Sequence, residues 1–111
     1  MADAADFRRI ALALPGATEV PHVDRRAFKA RITFATLAPD ELTANLRFTA
    51  EDQEFRCTTI LHGFALVPGG WGRMGWTQLT LAALDQDQLT SALAAAWQLA
   101  TTKPSKRRRL P

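Results

Sequence analysis

The segment from Pro68 to Trp76, called here the tryptophan segment, holds the side chains of this sequence best suited to ligand contact. It contains two of the three tryptophans, Trp71 and Trp76, with Arg73 between them and four glycines around them. Indole rings stack on nucleobases and guanidinium groups pair with phosphates, so an exposed segment of this kind suits nucleic acid. The tryptophans could instead fasten a glycine-rich loop onto the core, and for Trp71 we favour that packing interpretation.

A second set of candidate residues is basic. Four bases occur between positions 25 and 31 without an intervening acid. If the strand there is regular, Arg25, Lys29 and Arg31 share one face, and Arg47 on the next strand joins them with Trp76. Such a surface suits phosphate contact and base stacking, although an ordinary solvated face with scattered charge would show the same pattern.

Residue types that support catalysis or metal binding are sparse. The single cysteine, Cys57, precedes His62 by five residues, but a Cys–His pair needs direct contact and a third orienting group. The candidate metal ligands are Cys57 and His62 together with His22 and Asp24. They do not show the C-x-x-C or H-E-x-x-H spacing that is typical of zinc sites. The glycines of the tryptophan segment lead into a strand and lack the lysine and serine or threonine of a phosphate-binding loop. We therefore expect no catalytic residue, no metal site and no cofactor.

Hydrophobic periodicity predicts the elements that would position these side chains. Spacings of three and four residues predict helices, and spacings of two predict antiparallel strands that are apolar on one face. Thr49 and Asp85 are predicted to cap helices. The expected order is a helix, two or three strands, a helix, two strands and a helix, over approximate ranges 3–14, 25–48, 50–58, 63–81 and 85–103. This order predicts an α+β fold, a two-layer sandwich with helices on one face of an antiparallel sheet.

For two of these elements, the pattern predicts which side chains are buried and which are exposed. In the strand that follows the tryptophan segment, strict alternation places Leu79 and Leu81 under the helices and Gln78 on the outside. In the first helix, Arg8 and Arg9 lie opposite the apolar stripe and are predicted to be solvated.

The formal net charge of +3 hides an uneven distribution. Five bases lie in the last nine residues; without them, nine bases face eleven acids and the remainder carries −2. We expect one domain over residues 1–102 and a basic, disordered tail over 103–111. The tail bases are Lys103, Lys106, Arg107, Arg108 and Arg109. Any basic patch on the domain must therefore be local.

Hydropathy and cysteine use predict the compartment. No apolar run approaches the roughly 20 residues that a membrane helix needs, so we expect no membrane partner. The N-terminus is acidic and lacks the basic and apolar pattern of a signal peptide. A single cysteine is compatible with a reducing compartment, which predicts a cytoplasmic protein.

Several motifs together resemble one known family. In the C-terminal half they are Pro68-Gly-Gly-Trp-Gly-Arg-Met-Gly-Trp-Thr77, Leu79-Thr-Leu81, Leu84-Asp85 and Ala96-Trp97. In the N-terminal half they are Ala11-Leu-Ala-Leu-Pro-Gly-Ala-Thr-Glu19, Pro21-His22, Ala27-Phe28 and Phe34-Ala-Thr-Leu37. From about Phe7 to Lys103 the sequence resembles the MmcQ/YjbR family, whose members are usually described as small α/β proteins that bind DNA. The resemblance implies a fold related to secretion chaperones.

Residues and resemblance together favour a non-enzymatic DNA-binding protein. Trp71 and Trp76 would supply stacking surface, and the tail, with Arg107 and Arg108, would add untargeted affinity. Phosphates would be contacted by Arg25, Lys29, Arg31, Arg47 and Arg73. The alternative is a protein-interaction or chaperone-like module, with a protein partner or self-association and no nucleic-acid ligand.

Overall fold

The computed structural model describes residues 1–102 as helices packed on a single antiparallel sheet. The six strands lie in the order β1-β2-β3-β4-β6-β5. The elements are α1 (Ala4–Ala13), β1 (Thr18–His22), β2 (Arg25–Ala30), β3 (Ile32–Leu37), β4 (Thr43–Arg47), α2 (Ala50–Thr59), β5 (Phe64–Leu66), α3 (Gly70–Arg73), β6 (Trp76–Thr80), a 3-10 turn (Leu81–Ala83) and α4 (Gln86–Thr101). This architecture confirms the predicted α+β fold class. The predicted tail, with Arg107 and Arg108, lies outside the described residues.

Side-chain caps fix where the longer helices begin. The Asp3 carboxylate accepts from the Asp6 amide at 2.9 Å, and the Asp85 carboxylate accepts from the Gln88 amide at 2.7 Å. Both caps are reciprocal, because the third helical residue accepts from the cap's own amide in return. Thr49 caps α2 through its hydroxyl oxygen. These local signals explain why the predicted helix starts are confirmed.

The core lies between the helices and one face of the sheet. Helix α4 packs on β2, β3 and β4, α1 packs on α4, and α2 contacts β5. Phe7 of α1 meets Phe28 of β2 edge to face, with ring centroids 5.2 Å apart. Leu79 and Leu81 are buried whereas Gln78 is exposed. The predicted register of the strand after the tryptophan segment is therefore confirmed.

The opposite face of the sheet, called here the open face, is polar along its centre. Cross-strand pairing joins one row of residues there, and this row defines the face: Ala27, Thr36, Asn45, Gln78 and Ala65. Alternation puts Arg25 and Lys29 of β2, and Arg47 of β4, on the same face as this row.

The predicted placement of Arg31 is wrong. Arg31 has φ +62° and reverses the chain, so β2 ends at Ala30 and β3 begins at Ile32. Its Nε donates to the carbonyl oxygen of Ala100, in the last turn of α4, at 2.7 Å. Arg31 thus satisfies a helix C-terminus and does not share a strand face with Arg25. The turn contains neither glycine nor asparagine, the residues that usually indicate a left-handed turn position in a sequence.

Arg8 is also not solvated as predicted, because it joins α1 to the sheet. Its Nε lies 3.2 Å from Oε2 of Glu19, and its Nη1 lies 2.9 Å from Oε2 of Glu41. Arg26 approaches the same Glu19 oxygen at 2.8 Å. Burial alone would raise the pKa of Glu19, but hydrogen bonds from Arg26 and Arg8 outweigh it and hold that pKa below the ordinary value of 4.5.

This ion-pair cluster predicts an acid-sensitive contribution to stability. Because the folded-state pKa of Glu19 is lowered, its contribution is complete above pH 4.5 and is lost as the pH falls through the lowered value. Chemical denaturation between pH 6 and pH 3 should show a shallower loss of unfolding free energy in Glu19→Gln than in the wild type. Equal pH slopes for the two proteins would show that the cluster does not stabilise the fold.

Candidate nucleic-acid interface

A cleft of about 340 Å³ lies on the open face beside the tryptophan segment. Its lining residues come from strands β1 to β4 and β6 and from the segment between β5 and β6. Its lining residues are His22, Arg25, Thr33, Thr36, Asn45, Val67, Trp71 and Trp76. The cleft therefore brings both segment tryptophans to the same place as Arg25 of the predicted basic set.

Hydrogen bonds to Thr36 of β3 hold the Arg25 side chain in position. Its Nε donates to Oγ1 of Thr36 at 2.9 Å, and its Nη2 approaches the Thr36 carbonyl oxygen at 3.5 Å. Thr36 is buried, and its cross-strand partner on β4 is Asn45. Hydrogen bonding to the sheet orders the guanidinium group, so less side-chain entropy remains to be lost when it meets an anion.

The favoured packing interpretation of Trp71 is wrong. Its side chain is 61% exposed, while Trp76 is half-buried beside it in the cleft wall. The segment is fastened from the helix side instead, by the buried amide of Gln53 on α2. Gln53 Nε2 donates to the carbonyl oxygen of Gly72 at 3.0 Å and lies 3.1 Å from Oγ1 of Thr77. The indole of Trp71 is thus left available at the surface.

Two glycines allow the segment to lie this close to the sheet. A Cβ on Gly72 would overlap the carbonyl oxygen of Val67, and one on Gly75 would overlap the carbonyl oxygen of Phe48. Gly75 also has φ +103°, which side chains strongly disfavour. These two glycines therefore let the segment with the one-turn helix α3, which carries Trp71, lie against the carbonyl oxygens of Val67 and Phe48.

The open face carries cations that no carboxylate of residues 1–102 neutralises. Of the nine bases in residues 1–102, four form ion pairs with acids: Arg8, Arg9, Arg26 and Arg56. Within this part of the chain, no carboxylate oxygen lies within 4.0 Å of the other five, which are the five predicted: Arg25, Lys29, Arg31, Arg47 and Arg73.

The structure places four of these five cations on the open face or in the tryptophan segment. Arg25 lines the cleft, and Lys29 is exposed on the same strand, in register with the lining residue Thr33. Arg47 pairs in register with Trp76, and its Nε donates to the Met74 carbonyl oxygen at 3.0 Å. Arg73 ends α3 and is exposed. Arg31, in the turn between β2 and β3, contacts the last turn of α4 and stands apart.

Sequence reasoning missed Asn45. Its Oδ1 atom is shielded from water and has no hydrogen-bond partner among residues 1–102, although the residue lines the cleft. A signal was present, because asparagine is depleted in strands and occurs here in the middle of one. Its position between Ala44 and Leu46 also assigns it to the face opposite the core.

Cys57, the residue considered for nucleophilic catalysis, is half-buried on α2. Burial raises the pKa of the Cys57 thiol, which disfavours the nucleophilic thiolate. Within residues 1–102, no group of three His, Cys, Asp or Glu side chains is placed to hold a metal ion. Over the same range, no helix combines the length and the apolar character that crossing a membrane requires.

Comparison with known proteins gives one family and one fold. A family model described as YjbR matches residues 12–99. The structure is similar to the crystal structure of the Deinococcus radiodurans protein DR2400, described as a DUF419 domain, with a TM-score of 0.77. That alignment has 21% identity and covers 96% of this chain and 84% of the other, so it shows the shared fold alone. No curated protein matches the sequence.

Proposed function

Since this chain belongs to the YjbR family, we propose that it is a non-enzymatic DNA-binding protein whose open face binds single-stranded DNA. One observation carries the proposal: two tryptophans and an ordered arginine line one cleft, on a surface whose cations have no carboxylate partner in the described part of the chain. The family is not a known enzyme family. The single cysteine fits the reducing cytoplasm, where we propose the protein acts.

A single strand suits this surface better than a duplex. Bases in a duplex stack on one another, whereas an unpaired base can leave its neighbours and stack on an indole. The exposed side chain of Trp71 offers such a platform at the mouth of the cleft. Arg25, Lys29 and Arg47 lie on the same face and suit the phosphates on either side of a captured base.

The −2 charge of residues 1–102 does not oppose this proposal. Several acids are already paired with bases away from the open face: Glu19 and Glu41 with Arg8, and Asp52 with Arg56. The open face can therefore be locally positive on an acidic domain, and phosphate contact depends on the local potential.

The test distinguishes DNA binding by the domain from DNA binding by the basic tail. In a full-length variant whose five tail bases are replaced by glutamine, we expect binding to oligo(dT) to persist. Four phosphate contacts would give a log–log salt slope of about −2.8 for a single strand. Adding Arg25→Glu and Arg47→Glu should reduce the magnitude of that slope to about 1.4 and remove most of the affinity.

A matched control keeps the total charge change equal. Arg9→Glu with Arg31→Glu changes the charge by the same amount at exposed positions away from the cleft. This control should leave the salt slope near its starting value. Failure of the tail-neutral variant to bind any single strand at low salt would show that the domain does not bind DNA.

A protein-interaction module is the second candidate function. Three large apolar side chains near α3 are each more than half exposed, namely Leu66, Trp71 and Met74. Exposed apolar side chains that cluster in this way anchor protein partners in other systems. Size-exclusion chromatography that shows self-association, lost in Leu66→Ser with Met74→Ser, would favour this function over DNA binding.

A further inference from the structure

Asn45 stands at the centre of the open face without a structural role to explain it. Its Oδ1 is shielded from water and has no hydrogen-bond partner among residues 1–102. A buried acceptor without a donor destabilises a fold, so stability does not account for asparagine here. Its neighbours in the cleft include Trp71, whose side chain is exposed. Exposed side chains in proteins change rotamer rapidly, so a ligand that enters the cleft can rearrange the side chains around the amide.

The group placed beside Asn45 offers only donors. Arg25 is hydrogen-bonded to Thr36, and Thr36 is the cross-strand partner of Asn45. Directly paired residues lie about 5 Å apart, so the guanidinium group and the amide belong to one small site. A guanidinium group has five N–H donors and no acceptor, and only two of its nitrogens contact Thr36. The cleft thus combines remaining arginine donors with an unpartnered amide oxygen.

We propose that this pair selects keto nucleobases, thymine and guanine, over the amino nucleobases cytosine and adenine; the inference rests on the proposed binding of single-stranded DNA. Thymine carries a carbonyl acceptor next to an N–H donor, and guanine does the same. That edge matches an arginine donor beside an asparagine oxygen. Cytosine and adenine carry an amino donor next to a ring-nitrogen acceptor, which is the reverse order. In the orientation that thymine takes on this site, their amino hydrogens would therefore face the guanidinium donors.

The size of the cleft limits the selection to one nucleotide. Its volume of about 340 Å³ is at the lower end of the range of small-ligand sites, about 300–1,000 Å³. One base with its sugar can occupy such a space, while the rest of the strand follows the cations outside. Asn45 and Arg25 are then specificity-determining residues, and Trp71 contributes stacking that is indifferent to the base.

The test compares two pyrimidine strands that differ mainly in this edge. Full-length protein should bind oligo(dT) about tenfold more tightly than oligo(dC) of equal length at the same salt concentration. Oligo(dU) should behave like oligo(dT), because it keeps the keto edge and lacks only the methyl group. In Asn45→Ala, the preference should fall to about onefold while the melting temperature is kept, since the alanine removes an unpartnered acceptor.

A neighbouring residue supplies the matched control. Gln78 pairs with Asn45 in register and is exposed, but it does not line the cleft. Gln78→Ala should therefore keep the preference for oligo(dT). A preference that survives in Asn45→Ala, or equal binding of oligo(dT) and oligo(dC) by the wild type, would overturn the inference while leaving the proposed function in place.

Two further outcomes identify other failures. If the full-length protein binds neither strand at low salt, the proposed function fails, and this inference fails with it. If thymidine monophosphate competes at the same concentration as oligo(dT), the site takes a free nucleotide and the assignment to a strand is overturned. We expect the mononucleotide to compete at least a hundredfold more weakly, because it lacks the phosphate contacts outside the cleft.

Discussion

A Leu79→Asp variant is expected to lose about 3 kcal/mol or more of unfolding free energy, whereas Gln78→Asp should leave it nearly unchanged. Leu79 is fully buried, and its cross-strand neighbours are Ala44 and Phe64. A carboxylate there would have no cation or donor to pair with. Gln78 is exposed on the open face and tolerates a charge.

Chemical denaturation of the two variants measures this difference. The two variants introduce the same residue at adjacent positions of one strand, so the charge of the chain changes equally in both and the main difference is burial. Gln78→Asp should also weaken DNA binding modestly, because it brings a negative charge close to the cleft. Equal denaturation midpoints for the two variants would show that the register of β6 is wrong.

Trp71→Ala is expected to fold normally and to bind single-stranded DNA more weakly by about 1–3 kcal/mol. The stability is expected to be kept because the side chain is 61% exposed and the segment is fastened by Gln53. The affinity is expected to fall because a base loses its stacking surface. Fluorescence anisotropy with a labelled oligo(dT) gives the affinity, and thermal unfolding gives the stability.

The third tryptophan supplies the control for this experiment. Trp97 lies on α4, and its Nε1 donates to the carbonyl oxygen of Pro15 at 2.9 Å, away from the cleft. Trp97→Phe should change the affinity per folded molecule little. If Trp71→Ala instead melts at a much lower temperature and binds normally per folded molecule, Trp71 is a packing residue.

Local signals made much of the fold predictable. Asp3, Thr49 and Asp85 cap the helices that the sequence predicts, because a capping bond joins residues only a few positions apart. Alternation identified the buried side of β6 because one face of the sheet is covered. Arg31 was misplaced because a single left-handed residue reverses the chain there, and its stabilising contact with Ala100 is distant in sequence.

The candidate site was predictable in its charges but not in its geometry. Among residues 1–102, Arg25 and Lys29 have no carboxylate within 4.0 Å, although Asp24 precedes Arg25 in the sequence. The segment that carries the exposed Trp71 is fastened by Gln53, a residue of another element that is distant in sequence. The proposed role of Asn45 depends on its pairing with Thr36 across the sheet, and cross-strand pairing cannot be read from sequence spacing.

A nuclear magnetic resonance titration with oligo(dT) tests the central claim most directly. Amide and indole shifts of the full-length protein would be followed as the strand is added. We expect the largest changes at Thr36 and Asn45 and at the indoles of Trp71 and Trp76, with α1 and α4 little affected. Changes confined to residues 103–111, or concentrated on α1 and α4, would contradict the assignment of DNA binding to the open face.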